Sequence, residues 1–193
     1  MKTTTLLIVA TAIASALAGC SREDEGPRGV LTVDDVGNVR ATVDGVSRGL
    51  GVSFCPGLGV AELRLSRDNG ANDNVRRFTL DGGDVVGSSA DGVSSAYDSA
   101  SEALDVLDAT LSACPVVTNN PYVTFETLRL SGDAIGYRET LQNTQRRRVL
   151  TRVFAPHGDH VVQVSVLHTG KGDPSVDART LLRTALERAD ELD

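Results

Sequence analysis

The chain has 193 residues, enough for one domain or two small ones. Its 19 Lys and Arg stand against 26 Asp and Glu, a net charge of −7 with no basic block at either end, which excludes an ordinary nucleic-acid-binding surface. A composition of 40% hydrophobic and 23% charged residues excludes a wholly disordered or fibrous chain.

Residues 1–19 read as an export signal. Lys2 supplies the positive start, and an apolar run from Leu6 to Leu17, interrupted only by Thr11 and Ser15, is too short to span a bilayer. It ends in Leu17-Ala18-Gly19-Cys20, which has the form of a bacterial lipobox. Small residues before the thiol let a membrane-embedded peptidase reach the backbone; Cys20 then carries the acyl groups and becomes the first mature residue. The bland alternative is a secretory signal with a chance cysteine. Acylation would hold the protein on the extracytoplasmic face of the cell membrane, each buried methylene contributing ~0.8 kcal/mol. Residues 20–29 are polar, carry Pro27 and show no apolar period, so they read as a tether to a domain over 30–193. With Cys20 assigned to lipid, Cys55 and Cys114 remain as an even pair in an oxidising compartment, where a disulfide is the default.

Within the domain, Thr32–Val36 reads as a short turn, and Val39, Ala41 and Val43 as one face of a strand. Leu50–Phe54 is short, apolar and extended. Val60–Ser66 and Val75–Leu80 both alternate around an Asp/Asn-rich turn containing Asn69-Gly70, which predicts a hairpin. From Ser88 to Cys114, Val93, Ala96, Tyr97, Ala100, Ala103, Leu104, Leu107, Leu111 and Cys114 recur at helical steps, with Ser88, Ser89 or Asp91 as possible caps and Pro115 as the stop. The disulfide would tie the end of this helix to the strand ending at Cys55. Strands are expected over Tyr122–Leu130, Ala134–Thr140, Arg147–Ala155 and His160–His168, with turns at Ser131-Gly132-Asp133 and Pro156–Asp159. Asp173-Pro174 opens a last amphipathic helix. The sum is an α+β domain, an antiparallel sheet packed against two main helices on one face, with one disulfide.

Candidate chemistry is thin. Gly45-Val46-Ser47-Arg48-Gly49 matches the G-x-S-x-G elbow of hydrolases, but extended residues and Pro56 follow it where the elbow needs a helix. His157, Asp159 and His160 could ligate a metal or could be a polar hairpin tip; His168 falls at the far end of the same strand. The Asp68–Asn74 cluster lacks the spacing of a calcium loop. Arg146, Arg147 and Arg148 could meet anionic headgroups or simply start a strand, and Glu102, Asp105 and Asp108 line the polar side of a helix. No catalytic residue, metal site or cofactor is assigned.

Val30-Leu-Thr-Val-Asp-Asp-Val36, the Ala-rich helix ending in Cys114, the Gly132-Asp133 turn and the closing Ala/Leu helix together resemble the PknH-type extracellular sensor domain of actinobacterial receptor kinases and lipoproteins, over about Val30–Leu192. The resemblance implies a sheet on helices with a cleft between them and a non-catalytic sensing or binding role. The chain lacks the cysteines for the second disulfide frequent in that family, and carries His157-Gly158-Asp159 where the family often has a Gly-Asn turn. The expected function is that of a lipid-anchored sensor or ligand-binding lipoprotein whose partners are membrane lipid, through the anchor, and an envelope ligand or membrane protein. The alternative is an interaction lipoprotein without a small-molecule site, and a hydrolase comes third.

Overall fold

The computed structural model describes residues 26–45, 53–55, 57–65, 74–114 and 121–192. The segment expected to be an export signal, Cys20, most of the G-x-S-x-G segment and most of the Asp/Asn cluster lie outside them. None of the described helices is long and apolar enough to cross a membrane.

The elements run α1 (Val33–Val36), β1 (Val39–Asp44), α2 (Leu58–Arg64), β2 (Val75–Leu80), β3 (Val85–Gly92), α3 (Ala100–Ala113), β4 (Val123–Arg129), β5 (Ile135–Gln142), β6 (Arg147–His157), β7 (His160–Thr169) and α4 (Ala178–Ala189), with a 3-10 turn over Asp190–Leu192. The strands form one seven-stranded antiparallel sheet in the order β1-β2-β3-β7-β6-β5-β4. The chain leaves the middle of the sheet after β3, passes through α3 to the far edge at β4, and returns by a meander so that β7 closes against β3. The domain is α+β with one disulfide, Cys55–Cys114, whose Cα atoms are 5.6 Å apart.

The helices occupy both faces of the sheet instead of one. Successive strand residues point to opposite faces, and β6 shows the split. Val153 and Ala155 join Val162, Val164 and Val166 of β7 in a core with α4, while Phe154 joins Tyr137 and Val161 in a second core with α2 and α3. The near-continuous apolar runs of β6 and β7 are the mark of strands buried on both sides. On α4 the stripe is Ala178, Leu181, Leu182, Ala185 and Ala189; on α3 it is Ala100, Ala103, Leu104, Leu107 and Leu111.

Five expected elements are corrected. Residues 58–64 are a helix, not the first strand of a hairpin. Alternation and helical period both fit this segment, and the helix buries Leu58 and Leu65, with Ala61 half-buried between them. β2 pairs instead with β1 and β3, and Ser53–Cys55 is irregular chain, so the disulfide joins α3 to the lead-in of α2 and not to a strand. The long helix begins at Ala100, capped by Ser99, whose Oγ accepts from the Glu102 amide. Ser88, Ser89 and Asp91 belong to β3, where pairing on both sides outweighs local helical period. In β1 a bulge between Val39 and Ala41 turns Val43 to the face opposite Val39. α4 starts four residues late, at the Asp177 cap, because Ser175 is held elsewhere.

The opening motif has a clear structural task. Asp35 Oδ2 accepts from the Thr32 amide at 2.8 Å and its hydroxyl at 2.9 Å, closing α1. Both Asp35 oxygens then accept from Arg188 of α4 at 3.0 Å. Burial alone would raise the Asp35 carboxyl, but the bonds from Arg188 and Thr32 outweigh it and hold it below its ordinary value.

Candidate functional site

The α2/α3 face of the sheet carries a buried polar cluster. The strand registers place Tyr137 of β5 opposite Arg152 of β6, and Arg152 opposite Ser165 of β7. Glu139 lies two residues along β5, and Ser89 and Gln163 form a neighbouring pair across β3 and β7. Burial is nearly complete for all of these side chains. Glu62 comes down from α2, accepts from the Tyr137 hydroxyl at 2.8 Å and pairs with the Arg152 guanidinium. Phe125 stacks on Tyr137 with ring centroids 5.4 Å apart and closes the side towards β4.

Glu139 fixes the loop that carries the disulfide. Its Oε1 accepts from the Phe54 amide at 2.9 Å and from the Ser53 hydroxyl, while the Cys55 amide donates to Ser53 Oγ at 3.0 Å. The sheet, the lead-in of α2 and the end of α3 are thus one connected unit. The other oxygen, Glu139 Oε2, is buried with no hydrogen-bond partner among the described residues, as is Ser89 Oγ. Unpartnered buried acceptors are rare because each costs its full desolvation, about 1–3 kcal/mol.

Burial, reinforced by the nearby Glu139 carboxylate, pushes the Glu62 carboxyl above its ordinary value despite the opposing pull of Arg152 and Tyr137. Burial likewise drives the Tyr137 phenol up, assisted by Glu62, so it stays a neutral donor. Two carboxylates facing one guanidinium leave the site short of positive charge. Its chemistry suits a bound hydrogen-bond donor or cation.

The opposite face holds a second polar group. Asp84, in the β2–β3 turn, accepts at Oδ1 from His168 Nδ1 at 2.6 Å and at Oδ2 from the Ser175 amide and hydroxyl at 2.7 and 2.6 Å. The residue types match a hydrolytic triad, but the order is wrong. The serine binds the carboxylate, and His168 Nε2 is buried with no partner among the described residues, so the imidazole does not reach the hydroxyl. The group ties the β2–β3 turn and the end of β7 to the approach of α4. Burial would raise the Asp84 carboxyl, but the bonds from Ser175 and His168 win and lower it. A lowered carboxyl stabilises the fold above its ordinary value of 3.8 and loses that contribution as pH falls through the folded value. Asp84→Asn is therefore expected to cost about 1–3 kcal/mol at pH 7. In urea titrations across pH, the gap to the wild type should close in acid; a gap that persists unchanged at pH 2 would show that ionisation is irrelevant.

The residues singled out from the sequence are not gathered into a site. His157 and His160 face each other across a two-residue Gly158-Asp159 turn, and His157 Nε2 lies 3.4 Å from Asp190. Among the described residues no three His, Cys, Asp or Glu side chains come together as metal ligands. Glu102, Asp105 and Asp108 are exposed, and Arg147 reaches the loop before α4, at Gly172 and Asp173. Sequence reasoning missed Glu62, Tyr137, Glu139 and Arg152. The usable signal was the alternation in β5 and β6, which puts a tyrosine, a glutamate and an arginine on a face also carrying Ile135 and Phe154. No known family model matches the chain, and no characterised protein matches it.

Proposed function

We propose that this protein is a lipid-anchored extracytoplasmic binding module of the PknH sensor type, non-catalytic, with its ligand site at the buried polar face beneath α2 and α3. The observation that carries the reading is Glu139 Oε2, an unpartnered buried acceptor beside Glu62 in a face pinned by the disulfide. A donor or cation from a ligand would supply the missing bond. The lipobox form at Cys20 and the disulfide both fit an oxidising compartment outside the membrane. Native mass spectrometry of the chain extracted from its own membrane should show the acyl mass on Cys20. It should also show a non-covalent adduct that Glu139→Gln loses. An empty wild-type protein would overturn the binding reading, and an unmodified Cys20 the anchoring.

A second reading has its own support. Phe54, Val60, Leu63 and Val106 are exposed, and all belong to the α2/α3 layer. Leu63 and Val60 are 63% and 53% accessible, so the outer surface of the layer suits docking on an envelope protein. Crosslinking in intact cells from residue 63 would trap a protein partner on this reading and none on the first.

A further inference from the structure

The α4 side of the sheet carries a groove that neither reading uses. It lies between α4 and the β4–β5 turn and has a volume of about 470 Å³. Arg179 and Arg183, one helical turn apart, form one wall, and Arg129 stands on the other. Leu130, Leu182 and Leu186 make an apolar floor continuous with the α4 core. The chain is acidic overall, yet no carboxylate lines this groove. Asp133 and Glu187 stand close by in sequence, but among the described residues none of the three arginines forms a salt bridge. The adjoining cleft at the start of α4, about 400 Å³, differs in that two acidic residues, Asp173 and Asp177, line it.

Three unpaired guanidiniums above a leucine floor match an anion joined to an apolar chain. Guanidinium groups hold phosphate oxygens in bidentate pairs, and the floor needs an apolar partner to lose its water. A groove of this volume, within the usual range of small-molecule sites, admits a phosphodiester head and several methylenes. We propose that it seats the anionic headgroup and the adjoining acyl segment of a membrane phospholipid. The groove and the polar cluster lie on opposite faces of the sheet, so this site stands or falls separately from the binding role proposed above.

Calorimetric titration of the full chain tests it with three probes below their micellar concentrations: dihexanoyl-phosphatidylglycerol, dihexanoyl-phosphatidylcholine and inorganic phosphate. The glycerol lipid is expected to bind at least tenfold more tightly than either other probe. Arg179→Gln with Arg183→Gln should weaken it at least tenfold with the melting temperature unchanged, because both side chains are exposed. Arg179→Lys with Arg183→Lys should bind between the wild type and the glutamine variant, because the ammonium keeps the charge but not the bidentate pairing. Equal binding of the two lipids would overturn the proposal. So would phosphate binding as tightly as the glycerol lipid, which marks a free-anion site, or full affinity in the glutamine variant.

Discussion

Arg152→Met is expected to destabilise the protein by about 3–5 kcal/mol at pH 7, the cost of leaving a buried carboxylate without its cation. Arg152 is almost wholly buried, pairs with Glu62 and lies on the same face as Glu139. The loss should shrink as pH falls towards the ordinary carboxylate value of 4.5, because a protonated Glu62 needs no counter-charge. Urea denaturation at pH 7 and pH 5 measures both effects. Glu62→Gln combined with Arg152→Met should cost less than Arg152→Met alone, since the double variant removes the charge with its partner. Equal costs for these two variants would mean that the Glu62 carboxylate left without Arg152 carries no penalty in the folded state.

The sign at Glu62 is opposite to that at Asp35 and Asp84. A carboxyl raised in the folded state contributes stability that is complete below 4.5 and is lost as pH rises through the folded value. Glu62 therefore opposes folding at neutral pH, while Asp35 and Asp84 support it there and give way only in acid. The two lowered carboxyls fasten α1, α4 and the β2–β3 turn, all structural joints. The raised one sits in the proposed ligand face. Glu62 is there as the counter-charge of Arg152 and the acceptor for Tyr137, and a ligand that supplies further positive charge would favour its ionised form.

Which parts of this arrangement the sequence showed follows from the range of the forces involved. The strands from β4 to β7 and the disulfide were readable because alternation, tight turns and cysteine parity are local or arithmetical signals. Residues 58–64 were misread because seven residues satisfy two periods at once, and only packing against α3 chooses between them. The approach to α4 failed for a related reason: Asp173-Pro174 is a sound start signal, but Asp84, about ninety positions away, holds Ser175 and delays the helix. The polar cluster was hidden most completely. Its members come from α2, β5 and β6, and Glu62 was placed in a strand, where it could not have met Arg152. The placement of the helices was legible in principle, since unbroken Val and Leu runs in β6 and β7 demand cover on both faces.

Replacing Cys55 and Cys114 together by alanine is expected to cost ~4 kcal/mol, from the entropy of a loop with a sequence separation of 59. Against a typical total of about 5–15 kcal/mol, this is a large fraction. The loss should also be uneven. The disulfide lies entirely within the α2/α3 layer, and α2 has only seven residues to hold it there. The α4 core is built from separate side chains on the other face. Hydrogen exchange on the variant should therefore show α2 and α3 losing protection while α4 keeps protection up to the variant's reduced global stability. The Ser53–Phe54 clamp on Glu139 should loosen with the first group, because Cys55 is the next residue along. Equal loss of protection in both layers would mean that they unfold as one unit, and no loss would mean that Glu139 and the Leu58 packing hold the layer without the covalent bond.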